Sequence, residues 1–166
     1  MNIALIGFMG TGKSSVGREL ADELGYSFVD LDQEIVKHEG QEIPQLFATA
    51  GEDYFREVET EVTKKVAAKD KQVIATGGGV VLKEENLEAL RSNGTLILLT
   101  ATPEEILRRT SQDGDRPLLE VDGPLAKIEE LLTERKEKYD CTPYQIDTTG
   151  LSLIEVVEEI IEQLEL

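Results

Sequence analysis

The chain has 166 residues, 40% of them hydrophobic, with 34 acidic against 17 basic side chains and a net charge of −17. So acidic a surface repels nucleic-acid backbones and anionic membranes, and neither is expected as a partner. No apolar run approaches the ~20 residues that cross a bilayer, and one domain over 1–166 can bury about two-thirds of its unfolded surface. The N-terminus leads an acidic-poor strand straight into a glycine-rich loop, without the basic stretch and cleavage site of a signal peptide. With Cys141 alone there is no internal disulfide, and a reduced, cytoplasmic chain is expected. No exposed apolar stripe stands out, so a monomer is the default expectation.

Ile3–Ile6 reads as a short buried strand, and over Ser15–Leu24 the residues Val16, Leu20 and Leu24 recur at helical spacing. Between them lies Gly7-Phe8-Met9-Gly10-Thr11-Gly12-Lys13-Ser14, which fits the pattern G-x-x-x-x-G-K-[ST]. Strand, glycine-rich turn and helix is the context of a phosphate-binding loop, in which converging backbone N–H groups and a helix N-terminus receive a phosphate. Lys13 then reaches the β- and γ-phosphates and the Ser14 hydroxyl ligates Mg²⁺. The chain is expected to bind a nucleoside triphosphate.

Apolar runs and amphipathic stretches continue to alternate. A strand at Ser27–Val29 leads into a helix from Leu31, and a long helical region precedes a strand at Val73–Ala75. The helix around Glu84–Arg91 precedes a strand at Thr95–Leu99. Thr102-Pro103-Glu104-Glu105 opens another helix, with threonine as cap, proline in the first turn and Glu105 completing a capping box. Ser111–Gly123 resists a regular assignment, and a loop of that length is usually a lid or binding loop. A short strand near Tyr144–Ile146 and a helix over Ser152–Leu164 end the chain. This βα alternation predicts an α/β fold, a parallel sheet with helices on both faces.

Ligands of such sheets gather beyond the carboxyl ends of the strands. Three groups meet that condition: the phosphate loop, Asp30-Leu31-Asp32, and Thr76-Gly77-Gly78-Gly79. Asp30 suits a water on Mg²⁺ or the cap of the following helix, and Asp32 suits a substrate hydroxyl. Three consecutive glycines suit close approach of a ligand to the backbone better than a plain turn. Arg56, with Glu59 three residues on, reads equally as a surface ion pair or as a carboxylate-binding guanidinium braced by Glu59. Arg135 stands beside Lys136 and Lys138, where a solvated helix face is the alternative. Arg116 suits closure over transferring phosphates, whereas Arg109 also suits the dipole of its helix. His38, alone on a polar helix, reads as a surface residue.

In these pieces the sequence resembles the shikimate kinases over nearly its whole length. The resemblance is carried by Gly-Phe-Met-Gly-Thr-Gly-Lys-Ser at 7–14, Phe28-Val29-Asp30-Leu31-Asp32, Gly51-Glu52, Phe55-Arg56, Glu59, Thr76-Gly77-Gly78-Gly79-Val80-Val81, Arg109, Arg116-Pro117-Leu118-Leu119 and Arg135. It implies a P-loop kinase fold of the nucleoside-monophosphate-kinase type: three layers, α/β/α, around a five-stranded parallel sheet. A substrate-binding region falls over about 31–60 and a mobile lid over about 111–123. The activity implied is ATP- and Mg²⁺-dependent phosphorylation of the 3-hydroxyl of shikimate. By matching position, Lys13, Asp32 and Arg116 are the implied catalytic residues. Gly10, Thr11, Gly12, Lys13, Ser14, Ser15, Arg109 and Arg116 hold ATP, with Arg109 against adenine. Asp32, Arg56, Gly77, Gly78, Gly79 and Arg135 hold shikimate, and Ser14 and Asp30 (through water) hold the metal. Departures are the charged link Lys136-Glu137-Lys138 before Tyr139, the absence of a basic residue over 148–152, and Ser15 where a threonine is more usual. A kinase for another small polyol acid such as gluconate, and an inert nucleotide-binding relative, are the alternative readings.

Overall fold

Alternation along the strands sorts the apolar side chains onto two faces of a sheet. The computed structural model describes residues 1–112 and 123–166. Among these, β1 (Asn2–Ile6), β2 (Ser27–Asp30), β3 (Gln72–Ala75), β4 (Gly94–Thr100) and β5 (Gln145–Asp147) form one parallel sheet in the order β2-β3-β1-β4-β5. The helices are α1 (Lys13–Leu24), α2 (Leu31–Glu39), α3 (Ile43–Ala67), α4 (Glu84–Ser92), α5 (Pro103–Ser111), α6 (Pro124–Tyr139) and α7 (Leu153–Leu164). Ile3 and Leu5 of β1 and Ile97 and Leu99 of β4 pack with Val16 and Leu20 of α1 and Val156 and Ile160 of α7. The intervening residues Ala4, Ile6, Leu96 and Leu98 face the other way, onto Val58 and Val62 of α3, Leu87 of α4, Ile106 of α5 and Ile128 of α6. This is the expected α/β/α sandwich, each strand alternating between two helical layers.

The strand order is what assembles a site. Asp30 pairs in register with Ala75, and Ala75 with Leu5, so β2, β3 and β1 end level with one another. The segments that leave these three ends are the ones the sequence marks as chemical. They emerge side by side at the carboxyl edge of the sheet.

Several local expectations shift. Helix α1 begins at Lys13 rather than Ser15, because Gly12 at φ 96° already forms its N-cap. Strand β2 includes Asp30, and β5 runs one residue later than expected. The long helical region is bent: Gly51 has φ 85° and ψ 170° inside α3, a conformation that costs glycine little, and the helix kinks there. Thr102 caps α5, accepting from the Glu105 N–H at 3.2 Å, but the capping box is not completed. The Thr102 N–H instead donates to Thr149 Oγ1 at 3.0 Å, and the Glu105 carboxylate is taken by Arg108 and Arg109. Two guanidiniums one turn along outcompete a backbone N–H that already has a partner. The capping box is found on α7, between Ser152 and Glu155.

Of the expected lid, Ser111 closes α5, Gln112 follows it and Gly123 caps α6 at φ 73°. Residues 113–122, Arg116 among them, lie outside the described residues. No helix among the described residues is long and apolar enough to cross a membrane.

Candidate active site

The phosphate loop connects β1 to α1 with Gly10 and Gly12 at positive φ. Lys13 is buried, its Nζ donating to the carbonyls of Gly7 at 2.6 Å and Phe8 at 2.8 Å. Thr11 is buried too, and its hydroxyl donates to the Phe8 carbonyl at 2.7 Å. The lysine thus folds back over its own loop. A cleft of about 540 Å³ opens in front of it, lined by Gly10, Gly12, Lys13, Ser14 and Ser15 on the loop side. Asp30, Asp32, Thr76, Gly77, Gly78 and Arg109 complete much of its wall.

Asp30 uses its two oxygens differently. Its Oδ1 caps α2, accepting from the N–H groups of Asp32 and Gln33 at 3.0 and 3.3 Å. Its Oδ2 accepts from the Ser14 hydroxyl at 3.0 Å. A hydroxyl and a carboxylate at the foot of the phosphate loop are the oxygen donors a hard divalent cation takes. The described residues do not gather three His, Cys, Asp or Glu around one point.

The triple glycine is where the other candidates meet. A Cβ on Gly77 would stand 3.0 Å from Asp32 Oδ1 and 3.3 Å from Glu59 Oε2. A Cβ on Gly78 would stand 3.5 Å from the Met9 N of the phosphate loop and 3.7 Å from Arg135 Nη1. A Cβ on Gly79 would collide with the Arg56 guanidinium, 2.6 Å from its carbon. At Gly79 a side chain would have to displace this neighbour, at Gly77 it would be crowded, and at Gly78 it would make only ordinary contacts. One turn brings Asp32 from α2, Arg56 and Glu59 from α3, Arg135 from α6 and the phosphate loop into contact.

Both ambiguous arginines turn inward. Arg56 Nη1 donates to Glu59 Oε1 at 2.9 Å, with Glu52 a further 3.6 Å contact, and its Nε is buried without a partner. Glu59 is only 2% exposed. Burial raises its pKa, the Arg56 charge works against that rise, and the nearby Asp32 charge adds to it. Arg135 Nη1 donates to the Gly78 carbonyl at 3.3 Å, while Lys136 and Lys138 stay exposed. Arg109 is more than a dipole partner. It donates to Glu105 Oε1 at 2.9 Å, to the Gly10 carbonyl at 3.2 Å, and to Thr148 Oγ1 and carbonyl at 2.9 and 3.1 Å. The Glu105 carboxyl between Arg108 and Arg109 is held down to about 2. His38 lies on the surface beside Glu39 and Glu61, away from the cleft lining.

Three contributors escape a reading of the sequence. Tyr139, 6% exposed, donates its hydroxyl to the Gly78 carbonyl at 2.6 Å. Thr148, 3% exposed, ties the segment after β5 to the phosphate loop through the Thr11 carbonyl at 3.2 Å. Arg18 lines the cleft with its guanidinium 4.9 Å from the Phe28 ring centre. The fourfold spacing of Arg135 and Tyr139 on one helix is the one signal that pointed to any of them.

The chain matches known proteins along nearly its whole length. A family model described as shikimate kinase matches residues 9–165. A shikimate kinase of Thermodesulfovibrio yellowstonii is 48% identical over 99% of this chain and 95% of its own, and one of Geobacter metallireducens is 47% identical over 99% and 92%. Among solved structures, a shikimate kinase from Acinetobacter baumannii in complex with shikimate superposes with a TM-score of 0.93 at 38% identity, covering 99% of this chain and 92% of that one. The shikimate kinase from Aquifex aeolicus gives 0.87 at 41% identity, covering 99% and 96%. The match runs along nearly the full length, and the chain belongs to the shikimate kinase family of ATP-using phosphotransferases.

Proposed function

We propose that this protein transfers the γ-phosphoryl group of ATP to the 3-hydroxyl of shikimate, with Mg²⁺ as cofactor. The observation that carries the reading is the triple-glycine turn, where one aspartate, two arginines and the phosphate loop converge. Shikimate is a ring bearing one carboxylate and several hydroxyls. Arg56 and Arg135 suit the carboxylate, since guanidiniums bind carboxylates in paired hydrogen bonds. The backbone of Gly77, Gly78 and Gly79 suits the hydroxyls. Asp32, on the cleft wall with Lys13, orients the attacking hydroxyl and takes its proton as the O–P bond forms and the bond to the departing ADP breaks.

Phosphoryl transfer asks the protein mainly for positioning and charge neutralisation. Lys13 exchanges its loop carbonyls for phosphate oxygens, and Gly10, Thr11, Gly12, Ser14 and Ser15 receive the phosphates through backbone and hydroxyl groups. Ser14 directly and Asp30 through water hold the metal, which neutralises phosphate charge when bound. Arg109 lies against the base, fixed there by Gly10 and Thr148. Arg116, from a lid over about 111–123, completes the catalytic set and closes the site against hydrolysis. We place the activity in one monomeric domain in the cytoplasm.

An ADP-release assay run with shikimate, gluconate and nucleoside monophosphates tests this. Turnover with shikimate alone is expected. Turnover with gluconate and none with shikimate overturns the assignment.

A further inference from the structure

We propose that Tyr139 is a positioning residue for the acid-binding half of the site, clamping the Gly78 carbonyl so that Arg135 and the Gly78–Gly79 peptide keep their orientation toward bound shikimate. The inference rests on the function proposed above and adds a residue to which that mechanism gives no part.

Three glycines in a row have no side chains to restrain them, so their backbone is soft unless something outside holds it. Arg56 holds the turn at Gly79 from α3. Helix α6 holds it from the other side, because Arg135 and Tyr139 stand four residues apart and share a face. Both donate to the same acceptor: Tyr139 from 2.6 Å and Arg135 from 3.3 Å, to the carbonyl of Gly78. A carbonyl has two lone pairs, so the donors do not compete. The tyrosine bond is the shorter and comes from the more buried side chain, while the guanidinium is left with further N–H groups for a substrate carboxylate.

The consequence follows from the planarity of the peptide. The Gly78–Gly79 bond is trans, so the Gly78 carbonyl and the Gly79 N–H point in opposite directions. Fixing one fixes the other. Burial raises the Tyr139 pKa, with Arg135 and Arg56 opposing, and the phenol stays a protonated donor at neutral pH.

Tyr139→Phe removes one oxygen and tests the clamp. Shikimate binding is measured by calorimetry without nucleotide, and both Michaelis constants by ADP release. The dissociation constant and KM for shikimate are expected to rise about five- to tenfold, the effect of losing one buried hydrogen bond, while KM for ATP and the cooperative melt are retained. Unchanged shikimate affinity overturns the proposal, as does a parallel loss of affinity for both substrates, which marks a merely structural residue. Should the Phe variant not melt cooperatively, difluorotyrosine placed at 139 keeps the ring and ionises at lower pH. Shikimate affinity should then fall at a lower pH than in the wild type, and coincident profiles overturn the clamp. Wild-type protein that fails to turn over shikimate removes the underlying function and this role together, whereas an active wild type with an unaltered Phe variant removes only Tyr139.

Discussion

The guanidinium of Arg56 packs directly on the Cα of Gly79, its carbon 2.6 Å from where a Cβ would stand. It cannot simply swing away, because Glu59 holds it at 2.9 Å from within the core. Gly79→Ala should therefore displace Arg56 and raise KM for shikimate about 10- to 100-fold, the loss of one or two charge-assisted hydrogen bonds. Steady-state kinetics with each substrate varied checks this. An unaltered KM for shikimate would show that Arg56 does not serve the acid.

Asp32 approaches the same turn at Gly77 and shares the cleft with Lys13. Asp32→Asn keeps the shape and removes the proton acceptor. The expected result is a fall in kcat of about 10²- to 10⁴-fold with ATP binding preserved, read by single-turnover assay and nucleotide titration. Substantial activity in the Asn variant would take Asp32 out of the reaction.

Glu59 braces Arg56 from a buried position, and desolvation raises its pKa above the ordinary 4.5. A carboxyl raised in the folded chain favours folding below its ordinary value, and that contribution is lost as pH rises through the folded one. Compared with Glu59→Gln, the wild type should accordingly lose relative stability as pH climbs from 4.5 toward neutrality. Urea melts of both proteins across that range measure it, and a gap that widens in favour of the wild type would contradict the sign. The Gln variant should also bind shikimate less tightly, since its neutral amide holds Arg56 more weakly.

Glu105 behaves in the opposite sense. Arg108 first, and Arg109 with it, hold its carboxyl down to about 2. The stabilisation is present above the ordinary 4.5 and is lost as pH falls toward 2. Thermal melts should show the wild type ahead of Glu105→Gln at neutral pH, with the difference closing over that acid interval. Because Glu105 also orients Arg109 at the Gly10 carbonyl, KM for ATP should rise in the variant while KM for shikimate holds.

Chelation tests the metal. Removing divalent cations should abolish turnover and Mg²⁺ should restore it. Ser14→Ala should raise the Mg²⁺ concentration needed for half-maximal rate, because the Ser14 hydroxyl and Asp30 Oδ2 stand 3.0 Å apart as a ready pair of oxygen donors. Identical Mg²⁺ dependence in wild type and variant would exclude the hydroxyl.

Much of the site could be read from the chain alone because its parts are short and contiguous. Asp30 was legible as a helix cap or as a holder of a metal-bound water; the structure shows the cap on Oδ1 and leaves Oδ2 to the Ser14 hydroxyl. Arg56 and Arg135 were not decidable from spacing, since an exposed ion pair and a buried anchor have the same sequence. The capping box at Thr102 failed for a related reason: Thr149, 47 residues away, had already taken the backbone donor.

By itself the sequence determined the phosphate loop, the alternation that builds the two helical layers, and the family to which they point. These depend on neighbours in the chain, where eight residues suffice to aim a row of N–H groups and a period of two suffices to split a strand. Only the tertiary structure decided that β3 lies between β1 and β2, which levels Asp30, Ala75 and Leu5 and folds three distant segments around one turn. It also decided that Gly78 is held from α6 by Tyr139 and Gly79 from α3 by Arg56. A hydrogen bond between residues 61 positions apart is set by how whole elements pack, and no local pattern encodes that choice.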